Sequence, residues 1–273
     1  HVAALSAKCT YLSVVGDDEE GAIVKEKLDQ VCVDSELIKD EARPTTFKKR
    51  YMVGNQKLFR VSKMEESMIP KKVEEERIDL ITKLIPEHDG IIVSDFVYGT
   101  ITKNVLDAIV ASAEKYKKKL YGDVQCSSQV GSILDFKGFD VLCPNEREAR
   151  IALKDRESGI EQISLRIMKE TQASNIYMKL GPEGFIIYDK KDANTIKSQQ
   201  YPALCVNPVD VAGAGDSMLA LIATSKSRNE RTEEVAALGC IMASMAVENM
   251  GNVPIQKRLL IDRVKQIMSR TDV

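Results

Sequence analysis

The chain has 273 residues, 44% hydrophobic and 29% charged, with a formal net charge of −2. That size and balance suit one large core or two unequal domains and exclude a general polycation, and no apolar run approaches the roughly 20 residues that cross a bilayer. Six cysteines without CxxC spacing and only two histidines argue against a disulfide framework or a zinc site, and with no signal peptide at the start the expected location is cytoplasmic.

The chain opens at His1 in a helix-like apolar run, Val2 to Leu5, and the expectation is that part of the domain precedes it. Short β-branched runs then alternate with longer amphipathic ones, which predicts a layered α/β fold with a mainly parallel sheet. Residues 10–16 read as a strand and 18–30 as a helix. The stretch 43–63, "RPTTFKKRYMVGNQKLFRVSK", breaks the alternation and reads as a hairpin turning at Gly54 and Asn55. A buried strand is predicted over 89–95, a helix over 102–119, and strands over 119–125, 139–145 and 174–181. The last third is helical, from Gly213 and then over 232–248 and 256–270. The resulting division is an α/β unit over 1–42, a basic β lid over 43–63, and the α/β unit continued over 64–273.

The segment "DVAGAGDSMLALIATSK" (210–226) places two glycines in the first turn of a predicted helix, where they cost stability. Backbone N–H groups at a helix start lack partners and carry partial positive charge, so Gly213, Ala214 and Gly215 would let an anion close to those amides. Asp216 directly behind them could take the proton of an attacking hydroxyl while the amides stabilise a phosphoryl group. On spacing alone, an ordinary N-terminal turn with Asp216 as a favourable first-turn acid is an equal alternative.

Asp210-Val-Ala-Gly-Ala-Gly-Asp216 resembles the DxxGAGD signature of the PfkB, or ribokinase-like, carbohydrate kinases. The resemblance implies a three-layer α/β/α fold with a small β lid, Asp216 as base and residues 213–215 as anion hole, with ATP and Mg²⁺ as cofactors. Asn145 and Glu148 stand in the NxxE pattern that such kinases use near magnesium and nucleotide phosphates; alone, the pattern is a common helix cap. "MKLGPEG" (178–184) is similar to the strand and glycine turn beside the nucleotide, which makes Lys179 and Gly181 nucleotide candidates and leaves Gly184 to the turn. Asn249 falls near the adenine.

Seven Lys or Arg with no Asp or Glu in 43–63 suit an acceptor that already carries phosphate, and Arg50 and Arg60, with Arg43 and Lys48 behind them, are the candidate contacts. Lacking an RNA-binding motif, aromatic platform or overall positive charge, the chain is not expected to bind nucleic acid. The lid, "VVGDDEEG" (14–21) and "IVSDFVYGTIT" (92–102) together resemble bacterial heptose-7-phosphate kinases, which implies a sugar site at Asp95 and Gly99 and a homodimer contact through the lid. One departure stands out. Those kinases carry Asp-Pro-Lys after the strand at 119–124, and here Gln125 replaces the lysine. The alternatives therefore stay open: another sugar phosphate, an unphosphorylated sugar, or a non-catalytic binder of nucleotide or sugar phosphate.

Overall fold

A computed structural model describes residues 1–54, 56–126, 131–192 and 195–271. Asn55, the expected hairpin residue, lies outside the described residues. The apolar opening run is a short 3₁₀ turn, Ala3–Leu5, closed by Ser6 in a left-handed conformation.

Strand β1 (Thr10–Val15), helix α1 (Glu19–Gln30) and strand β2 (Asp34–Lys39) form a βαβ unit whose strands pair in parallel as a separate two-stranded sheet. The Asp18 carboxylate caps α1 by accepting the Gly21 N–H at 2.9 Å, satisfying one of the orphan donors of the first turn. The same carboxylate accepts the Thr45 N–H and O–H at 2.9 and 2.6 Å, so the cap also pins the stem of the next element. That element is an antiparallel hairpin of β3 (Phe47–Val53) and β4 (Gln56–Lys63), with a register shift between Tyr51 and Met52.

Helix α2 (Lys71–Leu84) leads into a six-stranded sheet. Strand β5 (Gly90–Asp95), helix α3 (Lys103–Tyr116), strand β6 (Lys119–Val124) and strand β7 (Val141–Leu142) follow in order. Helices α4 (Glu146–Leu153) and α5 (Ile160–Thr171) then precede strands β8 (Asn175–Lys179), β9 (Phe185–Lys190) and β10 (Ile196–Tyr201). The sheet order is β10-β9-β8-β7-β6-β5, with β5 to β8 parallel and the last two strands antiparallel. Helices α6 (Ala214–Lys226), α7 (Thr232–Val247) and α8 (Lys257–Thr271) close the chain. Strand β7 is shorter than the strand expected over 139–145, and Pro144, which has no N–H for the ladder, lies beyond its end.

Side chains alternate across this sheet into two separate cores. Leu120, Leu142, Ile176 and Met178 pack against Val105, Ile109, Ile163 and Ile167 of α3 and α5 on one face. Their chain neighbours Tyr121, Val141, Cys143 and Tyr177 pack against Met218, Ile222 and Ala236 of α6 and α7 on the other. Strands buried on both faces need continuous apolar sequence, and "VLC" and "IYM" supply it. The result is the three-layer α/β/α architecture.

Gly184 closes the β8–β9 turn with φ 89°, and a Cβ there would lie 2.0 Å from the Tyr201 carbonyl oxygen. Gly184→Ala is therefore expected to cost at least about 2 kcal/mol, because both the left-handed backbone and the β9–β10 approach would be strained. Urea unfolding of the two proteins measures it; equal midpoints would contradict the packing described.

Candidate active site

In an open α/β sheet, ligands bind beyond the carboxyl ends of the parallel strands. Here those ends deliver Asp95 from β5, Asp123 from β6, Asn145 just after β7 and Lys179 from β8. Asn145 and Lys179 are backbone neighbours in a parallel bridge, held by the Lys179 N–H on the Pro144 carbonyl at 2.9 Å.

Helix α6 begins at the same edge. Gly213 is its N-cap residue with φ 83°, so a glycine is needed there, and Ala214 and Gly215 are its first residues. Among the described residues no side chain caps this helix start, which leaves its amides for a ligand. Asp216 follows in the first turn, and two amides hold its carboxylate. The Gln125 Nε2–H donates to Oδ1 at 2.9 Å and the Asn252 Nδ2–H to Oδ2 at 2.8 Å. Sequence reading missed both clamps: Gln125 registered only as a lost charge, and Asn252 lies 36 residues away.

Asn145 and Glu148 form a capping box at the start of α4. The Asn145 Oδ1 accepts the Glu148 N–H at 2.9 Å, and Glu148 Oε2 accepts the Asn145 N–H at 2.8 Å. Burial pushes the Glu148 carboxyl up, while Lys179 and the Asn145 N–H pull it back. Asp123, only 2% exposed, pairs with Lys179 Nζ at 2.8 Å through Oδ1, and its Oδ2 has no partner among the described residues. That free carboxylate oxygen and the Glu148 carboxylate are the hard oxygen donors that Mg²⁺ takes, with the Lys179 ammonium on the other Asp123 oxygen. Glu148 and Asp123 are the residues that would hold it, with Asn145 beside them.

Three of the four nucleotide-side candidates, Asn145, Lys179 and Gly181, line a cavity of about 1200 Å³ together with Arg147, Lys154 and Arg156, and Asn249 is not part of its lining. Gly181 has φ 59° and open space where a Cβ would stand. Gly184 serves the turn. Asn249 has a structural job, donating from Nδ2 to the Met245 carbonyl at 2.9 Å at the end of α7.

The acceptor-side candidates separate into two groups. Asp95 Oδ1 accepts the Val97 N–H at 2.8 Å, and this turn holds Val97 at φ 61°, a strained conformation for a β-branched residue. The Asp95 carbonyl accepts the Gln125 N–H at 2.7 Å, which ties the acceptor strand to the residue that clamps Asp216. Lys48 reaches from the lid to this loop, bonded to the Tyr98 hydroxyl and lying 5.7 and 4.7 Å over the Phe96 and Tyr98 rings. Arg50 stands directly across from Arg60 on the same hairpin face as Lys48.

Two expectations need correction. Arg43 is 7% exposed and donates to Asp40 and to the carbonyls of Tyr98 and Ser67 at 2.8, 3.1 and 2.8 Å, so it fastens the lid stem to the acceptor loop rather than facing a ligand. Gly99 does permit a close approach, but of the Ser67 carbonyl, which would lie 2.0 Å from its Cβ.

The family model described as "pfkB family carbohydrate kinase" matches residues 1–257. The chain belongs to that family. Its fold is the ribokinase-like one. It is 26% identical over 260 residues to the bifunctional protein HldE of Sulfurimonas denitrificans, covering 93% of this chain and 52% of that protein. With HldE of Pelobacter propionicus it shares 29% over 275 residues, covering 98% and 54%. The chain thus spans about half the length of the curated relatives it matches. Among solved structures, phosphofructokinase-2 from Escherichia coli with potassium superposes with a TM-score of 0.79 at 15% identity, covering 98% of this chain and 84% of that one. Arabidopsis thaliana ribokinase complexed with ribose and ATP gives 0.75 at 18%, covering 96% and 84%. Among the described residues no helix is long and apolar enough to cross a membrane.

Burial pushes the Asp95 carboxyl up, against the pull of the Val97 N–H and Arg77, with Asp135 adding to the rise. A carboxyl raised by folding costs stability once ionised. The penalty is absent below the ordinary value of 3.8 and complete above the raised one. Asp95→Asn, which can still accept the Val97 N–H, should therefore melt higher than the parent at pH 7.5, with the gap closing towards pH 3.5. A gap that stays constant across that range would count against the burial argument.

Proposed function

We propose that this kinase transfers the γ-phosphoryl group of ATP to a hydroxyl of a phosphorylated sugar, and that the sugar is heptose 7-phosphate. The observation that carries the reading is Asp216, set directly behind the uncapped 213–215 amides at the edge where four parallel strands end. The acceptor hydroxyl displaces one of the two amides on Asp216 and gives that carboxylate its proton. The 213–215 amides meanwhile bear the charge of the phosphoryl group in flight. Asn145, Lys179 and Gly181, which share one cavity, face the nucleotide. Mg²⁺ at Glu148 and Asp123 would neutralise phosphate charge there.

The lid supports a phosphorylated acceptor. Arg50 and Arg60 are register partners on one hairpin face, so two guanidinium groups stand side by side where the oxygens of one phosphate could reach both. The relatives named HldE and the resemblance of the lid to heptose-7-phosphate kinases support heptose 7-phosphate in particular. Gln125 favours a second reading, because a neutral amide stands where those kinases carry a lysine, and another sugar phosphate would then be the acceptor. The other hairpin face exposes Phe47, Tyr51, Phe59 and Val61, an apolar strip suited to a homodimer contact.

Asp216→Asn should lower kcat by roughly two orders of magnitude or more while nucleotide binding changes little. Near-normal turnover would refute the mechanism. Arg50→Ala and Arg60→Ala should raise KM for heptose 7-phosphate and fructose phosphates more than for free hexoses; equal increases would mean that the lid does not read phosphate.

A further inference from the structure

The two amides that hold Asp216 are themselves held very differently. A carboxylate only accepts, so the Asn252 NH₂ must face Asp216 and its carbonyl must face away, where His1 Nε2–H donates to Oδ1 at 2.6 Å. The same side chain lies over Gly213, where a built Cβ would come 2.0 Å from Oδ1. Its loop is tied down one residue earlier: the Gly251 N–H donates to Asp210 Oδ2 at 3.0 Å, and Oδ1 of that aspartate accepts the Ala212 N–H. Asn252 is therefore fixed at both ends of its amide and along its stem.

Gln125 is fixed at one end of its amide only. Its backbone N–H is committed to the Asp95 carbonyl, and its Nε2–H reaches Asp216 Oδ1 at 2.9 Å on a side chain longer than that of asparagine. Among the described residues nothing engages its Oε1. It stands half-buried just past β6, whose last residue pairs with Asp95, and so approaches the base from the acceptor side. Turning Gln125 aside breaks one side-chain hydrogen bond, whereas moving Asn252 breaks two and disturbs the start of α6.

We infer that Gln125 is a gate on the base: its amide covers Asp216 Oδ1 until an acceptor enters, and Asn252 is the positioning residue that keeps the carboxylate aimed while the gate is open. This rests on reading Asp216 as the base, and it decides which of the two amides the acceptor displaces. Covering matters because water can do what the acceptor does. In that side reaction a water oxygen bonds to the terminal phosphorus of ATP as the bond to the bridging oxygen breaks. ADP leaves with that electron pair, and the water's proton goes to Asp216. A hydroxyl on a bound sugar displaces the amide because the rest of the sugar's contacts offset the lost hydrogen bond; a lone water has no such contacts.

The readout is phosphate release from ATP and magnesium by the intact chain with no sugar present. Gln125→Met keeps the length of the side chain and removes its donor, and it should raise this hydrolysis about 5-fold or more above the parent. Adding Asp216→Asn to that variant should abolish the gain. Asn252→Ala should bring no such gain, and with an acceptor it should lower kcat while the acceptor KM changes little. Hydrolysis by Gln125→Met at the parent level, in a protein that thermal melting shows to be folded, would overturn the gate. So would a gain that survives the loss of Asp216, or an equal gain from Asn252→Ala. Because no sugar is added, a wrong choice of acceptor produces none of these results; turnover with heptose 7-phosphate and other sugars judges that choice separately.

Discussion

Parallel strands must all end on the same edge of their sheet, and everything in this site depends on that constraint. Four ends, β5 to β8, bring an aspartate, a second aspartate, an asparagine and a lysine to one line. Two buried cores hold that line rigid, because each strand sends alternate side chains to opposite faces. Helix α6, packed on one of those faces, then has its uncapped start fixed against the line. The fold contributes the geometry, and a few polar residues contribute the chemistry.

The tension in such a design is visible in the charges. Asp95, Asp123 and Glu148 are carboxylates placed where water is scarce, and burial raises each of them. Lys179 pairs with Asp123 and acts on Glu148 through its charge, and Gln125 and Asn252 attend to Asp216 with neutral amides. A site built this way is destabilising in isolation and favours whatever brings positive charge or donors to it.

Much of this was legible in the sequence because the signals were local. Short β-branched and apolar runs mark β5, β6 and β8 closely, and the glycines of 213–215 contradict the helix they begin. What stayed hidden depended on contacts between distant residues. Nothing near Arg43 in the chain says that its guanidinium meets the carbonyls of Ser67 and Tyr98, and the basic stretch around it suggested a ligand instead. The pairing of Lys179 with Asp123 spans 56 positions. Gly99 showed that a glycine was required without showing which neighbour required it. Strand β2 went unread because "DSELIK" alternates charge with few apolar residues, having only one buried position.

The capping box at α4 has a consequence for binding. Because Asn145 and Glu148 hold each other through backbone and side chain alike, their rotamers are settled before any ligand arrives. Freezing a rotamer-rich side chain on association costs about 0.5–1.5 kcal/mol. Here the folding of α4 has already met that cost, so ligand affinity at this corner is underwritten by helix formation. A lesion that frays the first turn of α4 would loosen the site while leaving every contacting residue unchanged.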